Sequence, residues 1–366
     1  MYSKATGQVS PAFWRGKKIF VTGHSGFKGS WLTLWLNALG AQVTGYSLQP
    51  NTKPSMYNIL KMDDLCESHI ADIRSINDLQ KQLLESEPDI VIHLAAQPIV
   101  SRSFTDTRET WETNVLGTVN LLEVCRSFST GLPVLIISSD KCYQNNDLGQ
   151  PFKTTDPLGG NDPYSASKAG TELVINSYRK SFFSVANAPV LASARVGNVI
   201  GGGDFADNRL LVDAVTAFQS GRRLTVRNPH AVRPWQHVLE PVYGYLLLIE
   251  KMCGNENLAQ AWNFGPNPSA NVDVGTIVKL VQTGWGDGAA YDTASDAAQW
   301  REAKLLSLDS SATEAALSWH CCLELPEAVD WTVRWYKTFY DHSPSYKSMR
   351  ELSLEQIEAY YLKAAE

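Results

Sequence analysis

The sequence predicts an α/β fold, a doubly wound parallel sheet with a smaller C-terminal substrate-binding lobe. Up to residue 200, continuous Val, Ile and Leu runs alternate with segments of helical period, as in "KKIFVTG" followed by "KGSWLTLWLNALG". Unbroken apolar strands are typical of parallel sheets that helices cover on both faces. After about Gly201 the alternation gives way to loops such as "GGGDFADNR" and "VRNPHAVRPWQHV", which indicates a second lobe.

The individual elements follow from the period of their apolar residues. Strands are predicted in "KKIFVTG", "AQVTGYSL", "SHIADI", "PDIVIHLAA", "LPVLIISSD" and "PVLASARVGN". Helices are predicted in "KGSWLTLWLNALG", "SINDLQKQLLES", "TRETWETNVLGTVNLLEVCRSF" and "SASKAGTELVINSYRKSF". Two terminal helices are predicted in "AVDWTVRWYKTFYDH" and "LSLEQIEAYYLKAAE".

Composition and charge exclude some classes of partner. The 366 residues are 44% hydrophobic and 19% charged, with a formal net charge of −6, which is ordinary for a globular protein of about two domains. Mild acidity argues against nucleic acid or an anionic membrane as partner. No apolar run approaches the roughly 20 residues of a membrane span. The six cysteines are scattered without a CxxC pattern, so reduced thiols in a cytoplasmic protein are expected, and no metal site is predicted.

The loop between the first strand and the first helix has the pattern of a phosphate-binding turn. In "TGHSGFKG", the glycines follow a GxxGxxG spacing. Glycines permit a tight turn and let backbone N–H groups approach a pyrophosphate at the helix N-terminus. We therefore predict a dinucleotide site, with cofactor contacts from Gly23, His24, Ser25, Gly26, Phe27, Lys28 and Gly29.

The end of the second strand lacks the usual ribose-binding acid. Ser47 or Leu48 stands where an Asp or Glu commonly binds the 2′-hydroxyl, and no nearby arginine would take a 2′-phosphate. NAD is therefore favoured over NADP, with His24 and Lys28 as alternative contacts for ribose or phosphate. Residues 1–14 are predicted as a mobile tail, 15–200 as the NAD-binding domain and 201–366 as mainly the substrate lobe, either separate from the first domain or interwoven with it.

A tyrosine and a lysine four residues apart follow the fifth strand. "YSASK" places Tyr164 and Lys168 on one face of a helix beside the predicted crevice. A free phenol has a pKa of about 10, and a neighbouring ammonium and an oxidised nicotinamide stabilise the phenolate. Tyr164 is therefore predicted as the general base for a substrate hydroxyl that Ser138 and Ser139 also bind.

In this order, "TGHSGFKG", "ADI", "HLAA", "SSD", "YSASK" and "RVGNVIG" resemble an extended short-chain dehydrogenase/reductase over nearly the whole chain. The resemblance implies that Tyr164 is the base and that Lys168 holds the nicotinamide ribose. It also implies that Asp72 and Ile73 flank the adenine. Further cofactor contacts are expected from Leu94, Ala95, Ala96, Gln97, Ser138 and Val196.

The fifth strand ends on two adjacent opposite charges, Asp140 and Lys141. Epimerases and simple dehydrogenases of this class tend to carry small uncharged residues there, whereas sugar nucleotide 4,6-dehydratases carry an acid and a second ionisable group. The Asp-Lys pair is similar to that of the dehydratases acting on CDP-glucose, which implies a lyase that converts CDP-glucose to its 4-keto-6-deoxy product. A dehydratase for another nucleotide sugar, a 4-epimerase and a non-catalytic NAD sensor stay open, although such sensors commonly lose the tyrosine and lysine.

Dehydration needs such a pair. A ketone at C4 acidifies the C5 proton, which a base must remove while an acid protonates the departing C6 hydroxyl. We hypothesise that Lys141, in its neutral form, is that base and that Asp140 is the acid. Ser139 is grouped with them and with the Tyr164 and Lys168 pair as catalytic.

Three residues after the sixth strand are predicted to bind the substrate. Asn198 in "RVGNVIG" matches the family residue that touches the sugar nucleotide phosphates. Arg209 and Arg233 are included because guanidinium forks fit diphosphate oxygens, and "RPWQHV" resembles the family's Arg-x-Trp segment. The resemblance also implies a homodimer, or a higher oligomer, formed by the helices over 111–128 and 165–183.

Overall fold

A computed structural model describes residues 8–147, 149–294, 305–341 and 345–366. Within these ranges, seven parallel strands form the central sheet and the others form small sheets beside it. The strands are β1 (Lys18–Thr22), β2 (Gln42–Ser47), β3 (Glu67–Ile70), β4 (Ile90–His93), β5 (Pro133–Ile137), β6 (Val190–Val196), β7 (Asn198–Ile200), β8 (Leu224–Val226), β9 (Val232–His237), β10 (Ala261–Phe264), β11 (Asn271–Asp273) and β12 (Tyr291–Thr293).

The central sheet has the order β10-β6-β5-β4-β1-β2-β3, with each neighbouring pair parallel. The order reverses between β1 and β4, which is the switch point where ligands of doubly wound sheets bind beyond the carboxyl ends of the strands. The predicted fold class is confirmed.

Alternate residues of the innermost strands enter two separate cores. In β1, Ile19 and Val21 belong to the larger core and Phe20 to the smaller one on the opposite face. In β4, Val91 is likewise separated from its two neighbours. Because both faces are apolar, the strands are unbroken hydrophobic runs in the sequence.

Helices cover both faces of the sheet. They are α1 (Pro11–Trp14), α2 (Phe27–Ala38), α3 (Met56–Ile59), α4 (Ile76–Glu85), α5 (Val100–Thr105), α6 (Thr107–Trp111), α7 (Gly117–Cys125), α8 (Pro163–Ser181), α9 (Leu210–Gln219), α10 (Leu239–Met252), α11 (Val274–Trp285), α12 (Ser311–Leu317), α13 (Leu325–Asp341) and α14 (Tyr346–Lys363). Side chains of α4, α7 and α8 fill the smaller core, whereas α2, α10, α13 and α14 contribute to the larger one. In the described ranges, no helix combines the length and apolarity needed to cross a bilayer.

The predicted tail of residues 1–14 is wrong where the structure describes it, from residue 8 onward. Trp14 in α1 is fully buried in the larger core. The backbone of Ser10 donates to the Glu250 carboxylate over 2.9 Å, and Tyr361 donates to the Val9 carbonyl over 2.8 Å. The segment packs because Val9 and Trp14 bury apolar area in the larger core. The polar residues around them in the sequence gave no indication of this burial.

The chain after residue 200 contributes to the central sheet as well as to the small sheets. β10 pairs with β6, so the last strand of the central sheet comes from the predicted second lobe. The small sheets have the orders β11-β9-β7 and β12-β8. The division at residue 200 into a cofactor domain and a substrate lobe stays a prediction.

Candidate active site

The carboxyl ends of the central strands open onto one crevice of about 390 Å³. This size is within the usual range for a site that encloses a small ligand. Almost all of the residues predicted to form the site line it: Gly23, Ser25, Gly26, Phe27, Lys28, Gly29, Asp72, Ile73, Leu94, Ala95, Ala96, Gln97, Ser138, Ser139, Asp140, Lys141, Tyr164, Lys168, Val196, Asn198 and Arg209. His24 and Arg233 are the predicted residues that do not.

Two glycines of the loop, Gly23 and Gly29, lie where a side chain would not fit. Gly23 has φ +75°, and a Cβ there would lie 2.6 Å from the Ala95 nitrogen. A Cβ on Gly29 would lie 2.1 Å from the Gly23 carbonyl oxygen. Gly26 precedes α2 and offers no side-chain cap, so the first N–H groups of the helix stay available to an anion. The loop therefore fits the pyrophosphate of a dinucleotide.

The side chain of His24 is buried beneath the crevice and does not line it, so the predicted contact of His24 with the cofactor stays a prediction that only its backbone could fulfil in this structure. Its Nε2 lies 2.8 Å from the Ser68 hydroxyl and its Nδ1 lies 3.2 Å from the Ser47 hydroxyl. Its ring packs against Gly45, where a Cβ would lie 2.3 Å from it. Burial lowers the pKa of His24 to about 4, so the ring is neutral at pH 7 and supplies no charge to a phosphate.

The end of β2 is a network of hydroxyl groups. The Ser47 hydroxyl donates to that of Ser25 over 2.8 Å, and Ser25 donates to the Leu48 carbonyl over 2.8 Å. Ser25, Ser47 and Leu48 all line the crevice. Hydroxyl groups and a carbonyl thus stand at the position where an acid commonly binds the ribose.

Asp72 lines the predicted adenine end of the crevice with its carboxylate already paired. Arg74 binds it through a forked contact, with Nη2 at 2.6 Å and Nε at 2.9 Å from Oδ2. The hydrogen bonds from Arg74 lower the pKa of Asp72, so this carboxylate is ionised at neutral pH.

The first turn of α8 positions Tyr164. Asp162 caps this helix by accepting hydrogen bonds from the Ser165 N–H over 2.9 Å and the Ser165 hydroxyl over 2.6 Å. Pro163 occupies the first position, where its missing N–H has no cost. Tyr164 and Lys168 are buried one turn apart, and the Lys168 ammonium lies 5.9 Å from the centre of the Tyr164 ring.

Burial acts against the ionised forms of both residues. It raises the pKa of Tyr164 to about 12, although a hydrogen bond with Ser139 and the charge of Arg209 act in the opposite direction. It lowers the pKa of Lys168 to about 8, against the charges of Cys142 and Glu172. Burial therefore favours the neutral phenol in the protein itself, and an oxidised nicotinamide bound beside Tyr164 would add positive charge that stabilises the phenolate.

Asp140 and Lys141 begin a single 3₁₀ turn, Asp140–Cys142, directly after β5. The Ser139 hydroxyl caps this turn by accepting from the Lys141 N–H over 3.2 Å, and it donates to Asp140 Oδ1 over 3.0 Å. The cap directs the chain away from the sheet, so that both charged residues and Ser139 line the same crevice as Tyr164.

Two buried polar atoms at the end of β5 lack partners among the described residues. They are the Ser138 hydroxyl and Oδ2 of Asp140. Burial raises the pKa of Asp140, while Lys141, Ser139, Arg233 and Lys28 act to lower it. Because buried polar groups are normally satisfied, unpaired atoms at the wall of a crevice indicate a ligand-binding surface.

The substrate side of the crevice combines cations with a carboxylate that the sequence did not single out. Asn198 begins β7, and Arg209 precedes α9 with its Nε 4.0 Å from Asp204 Oδ2. Burial raises the pKa of Asp204, against the charge of Arg209. Lys28 lines the same part of the crevice, and burial followed by the charges of Lys168 and Arg209 lowers its pKa to about 8.

Arg233 lies behind the crevice lining. It is buried in β9, and its Nη1 donates to the Val232 carbonyl over 2.9 Å. Its charge acts on Asp140. The predicted contact of Arg233 with a substrate diphosphate therefore stays a prediction, and in this structure its charge acts on the Asp140–Cys142 turn.

Asn114 is a buried residue behind the crevice that the sequence analysis did not single out. The long helix predicted over 107–128 is interrupted by a π-helical segment, Glu112–Leu116, that contains it. Its side chain accepts from the Gln97 N–H over 2.8 Å and donates to the Ser167 hydroxyl over 2.9 Å. Asn114 thus links the segment that follows β4, through Gln97, to α8. The π-helix is a frequent feature of functional sites, but apolar periodicity does not reveal one.

The described residues hold no cluster of three or more His, Cys, Asp or Glu side chains suited to a metal ion. His93 is buried between hydroxyl groups, 2.6 Å from Thr22 and 3.2 Å from Thr118. Burial lowers its pKa to about 3, so it is a neutral structural residue, in keeping with its omission from the predicted site.

The fold and the crevice define an extended short-chain dehydrogenase/reductase. Residues 20–330 match the model of the GDP-mannose 4,6 dehydratase family. The chain is 44% identical over 336 residues to CDP-glucose 4,6-dehydratase of Salmonella typhimurium, covering 90% of this chain and 93% of that enzyme. It is 26% identical over 347 residues to a probable dTDP-glucose 4,6-dehydratase of Sinorhizobium fredii, covering 87% and 92%.

Solved structures share the fold at lower sequence identity. UDP-glucose 4-epimerase of Thermotoga maritima superimposes with a TM-score of 0.74 at 20% identity, covering 87% of this chain and 98% of that one. dTDP-glucose 4,6-dehydratase of Bacillus anthracis, solved in complex with NAD, gives 0.71 at 20% identity, covering 87% and 96%.

This chain belongs to the GDP-mannose 4,6 dehydratase family. The predicted resemblance to sugar nucleotide 4,6-dehydratases is confirmed, and with it the expectation of a lyase.

Proposed function

We propose that this protein is a CDP-glucose 4,6-dehydratase that uses NAD catalytically and yields the 4-keto-6-deoxy sugar nucleotide. One observation carries the proposal most directly: Asp140 and Lys141 line the same crevice as Tyr164 and Lys168. The first pair suits dehydration and the second suits hydroxyl oxidation. The 44% identity to a CDP-glucose 4,6-dehydratase supports the choice of nucleotide.

The cofactor would lie along the glycine loop. Gly23 and Gly29 allow close approach of the backbone, the start of α2 receives the pyrophosphate, and Lys168 holds the nicotinamide ribose. Bound NAD would supply the hydride chemistry, taking a hydride from C4 and returning it to C6.

The side chains of the protein would move the protons. Tyr164 takes the proton of the C4 hydroxyl, helped by the nearby Lys168 ammonium. Lys141 removes the C5 proton, and Asp140 donates a proton to the C6 hydroxyl, which leaves as water. Burial favours the protonated form of Asp140, as an acid requires. Lys141 returns its proton to C5. Tyr164 releases the proton that it took from the C4 hydroxyl to solvent, and Asp140 takes one proton up from solvent, so that one water has formed and the starting protonation states are restored.

Asn198 and Arg209 would hold the diphosphate of the substrate. Both line the crevice beyond the end of β6, and guanidinium groups bind phosphate oxygens in a bidentate manner. Lys28 adds a third donor between this region and the glycine loop.

The first experiment identifies the substrate. Purified protein is incubated with NAD and with CDP-, dTDP-, UDP- or GDP-glucose in turn, and 4-keto-6-deoxy product is measured. Preferential turnover of CDP-glucose is the expected result. Product from another nucleotide would correct the substrate, and a 4-epimer without loss of water would overturn dehydration.

A second experiment tests the role of Lys141. The Lys141→Met variant should oxidise C4 but fail to eliminate water, so reduced nicotinamide and a bound 4-keto hexose accumulate. Lys81→Met, on the exposed surface of α4, is the matched control and should behave as wild type. Normal product formation by Lys141→Met would remove Lys141 from the mechanism.

We further propose a homodimer in the cytoplasm. The helices over 111–128 and 165–183 carry Leu116 and Leu173, which are 54% and 58% exposed, as residues of an unpartnered apolar face would be. The cytoplasmic location is supported separately, because all six cysteines are free thiols, which agrees with a reducing compartment.

The dimer is tested at the exposed leucine of α8. Leu173→Asp should lower the mass measured by light scattering to that of one chain, whereas Leu84→Asp on α4 should leave it unchanged.

A further inference from the structure

A buried ion pair lies behind the crevice. Glu172 of α8 is one helical turn beyond Lys168, and its Oε2 lies 2.7 Å from Nη2 of Arg195 in β6. The side chains are only 2% and 5% exposed. Removing two charges from water is costly, so a buried pair is weak evidence for stability as such. The contacts that the pair makes with other residues therefore say more about its role than its contribution to stability does.

The pair holds Tyr143. Arg195 uses its other terminal nitrogen, Nη1, to donate to the Tyr143 hydroxyl over 2.8 Å, and its guanidinium lies 4.9 Å from the centre of that ring. The Tyr143 hydroxyl donates to Oδ1 of Asn263 in β10 over 2.6 Å. Phe152 stacks on the ring, with centroids 4.8 Å apart and planes 3° from parallel. Tyr143 is fixed through its hydroxyl and through its ring.

Tyr143 caps the carboxyl end of the Asp140–Cys142 turn, which carries the proposed elimination groups. Its backbone follows the Asp140–Cys142 turn directly, and it stands two residues after Lys141. The backbone on either side is also bound, since the Gly159 N–H donates to the Cys142 carbonyl and the Gln144 N–H donates to the Pro157 carbonyl, each over 2.9 Å. The Tyr143 side chain itself is buried and does not line the crevice.

We propose that Tyr143 is a positioning residue for dehydration. Through Arg195 and Glu172 it ties the turn that carries Asp140 and Lys141 to α8, which carries Tyr164 and Lys168. One end of the turn is fixed by the Ser139 cap and the other by Tyr143. The connection sets the elimination groups relative to the oxidation groups without touching the substrate, and it rests on the proposed function.

The consequence is a separation of steps. Tyr164 lies in the first turn of α8, which the Asp162 cap fixes, so oxidation at C4 should depend less on the Tyr143 hydroxyl than the later steps do. Proton transfer at C5 and C6 depends on where the turn places Asp140 and Lys141, and small displacements of catalytic groups are costly. Loosening Tyr143 therefore slows the chemistry after C4 oxidation and leaves substrate binding intact.

The test is Tyr143→Phe, which removes the hydroxyl and keeps the ring that stacks on Phe152. With the nucleotide sugar that wild type turns over, kcat should fall by about tenfold to a hundredfold with KM unchanged. The fraction of enzyme holding reduced nicotinamide in the steady state should rise, as read from its absorbance. Tyr360→Phe is the matched control: it also loses a buried hydroxyl bonded to an ionisable partner, Glu240, over 2.6 Å, and its kinetics should equal those of wild type.

Each outcome decides the matter. Kinetics like those of Tyr360→Phe, a change in KM alone, or a lower kcat without reduced nicotinamide would each overturn the positioning role. If Tyr143→Phe does not fold, Arg195→Lys serves instead, because it keeps the charge beside Glu172 and loses the forked reach to Tyr143. Arg195→Lys should also accumulate reduced nicotinamide in the steady state. If reduced nicotinamide does not accumulate in that variant, the positioning role is overturned. A wild-type protein that dehydrates no nucleotide sugar would remove the proposed function and this role together.

Discussion

Two buried carboxylates of this protein differ in how completely they are bonded. Asp140 at the crevice is 2% exposed and receives one hydrogen bond, from Ser139, while its Oδ2 has no partner among the described residues. Glu240 in α10 is 1% exposed and accepts from the Cys322 N–H, the Leu323 N–H and the Tyr360 hydroxyl, the last two over 2.8 and 2.6 Å.

The difference distinguishes Glu240, whose carboxylate connects structural elements, from Asp140, whose carboxylate has an acceptor atom free for a ligand at the crevice. Glu240 joins α10 to α14 and to the segment before α13, and every donor it meets belongs to the protein. Asp140 is surrounded by the charges of Lys141, Arg233 and Lys28, yet keeps an acceptor atom open at the crevice. Burial alone therefore does not support a catalytic role, whereas burial with an unfilled acceptor at a cavity supports the role proposed for Asp140.

The largest expected effect is that of Asp140→Asn on activity. The amide keeps the shape but cannot donate the proton to the C6 hydroxyl, so kcat should fall by about a hundredfold to ten-thousandfold. The melting temperature should change little, because the ionised form of Asp140 is disfavoured by burial. Steady-state kinetics and thermal unfolding measure the two quantities. Full activity with a large loss of stability would place Asp140 in the same class as Glu240.

Glu240→Ala should have the opposite profile. It leaves two N–H groups and the Tyr360 hydroxyl buried without their acceptor, so the free energy of unfolding should fall by about 2–4 kcal/mol. The kcat of the folded fraction should equal that of wild type. Urea unfolding gives the stability, and a kinetic defect in folded enzyme would show that the two carboxylates are not independent.

The pH dependence of stability sharpens the comparison further. Burial raises the pKa of Glu240 from 4.5 to about 7, against hydrogen bonds from Tyr360, Leu323 and Cys322. An acid whose pKa is higher in the folded state stabilises it fully below about pH 4.5 and loses that contribution as pH rises through about 7. The loss should be up to about 3 kcal/mol. Urea unfolding at several pH values should show this slope in wild type, and Glu240→Gln should flatten it; an equal slope in both would assign it elsewhere.

The smallest effect is expected for Tyr360→Phe. Removing one of the donors to Glu240 should lower the free energy of unfolding by about 1–2 kcal/mol, since two backbone donors still serve the carboxylate. Thermal unfolding provides the measurement. A loss as large as that of Glu240→Ala would mean that the hydroxyl, and not the backbone N–H groups, satisfies the carboxylate.

Much of the site could be predicted from local patterns. Gly23, Gly26 and Gly29 are close in the chain, as are Tyr164 and Lys168, so their spacing alone specifies a turn and a helix face. Asp140 and Lys141 follow a recognisable strand, and strand ends of a parallel sheet meet at one edge. These residues line one crevice as predicted.

Other features depended on contacts between distant segments. The direction of His24 depends on Ser47 and Ser68, which lie in two other strands. The π-helical segment with Asn114 arises where that helix packs against α8. The burial of Trp14 could not be predicted either, because the residues next to it in the sequence form only a short helix with no apolar period.

The sequence by itself determined the order of strands and helices, the glycine loop and the two ionisable pairs that line the crevice, because each is encoded by residues a few positions apart. Tertiary structure alone decided that β10 joins the central sheet and that Arg233 lies close enough to act on Asp140. It also decided that four residues form one chain of contacts: Glu172, Arg195, Tyr143 and Asn263. Tyr143 and Asn263, the first and last of these four residues in the sequence, are 120 positions apart and meet only through packing. Periodicity reports which face of an element is apolar, but the partner of a buried polar group is fixed only when the elements come together.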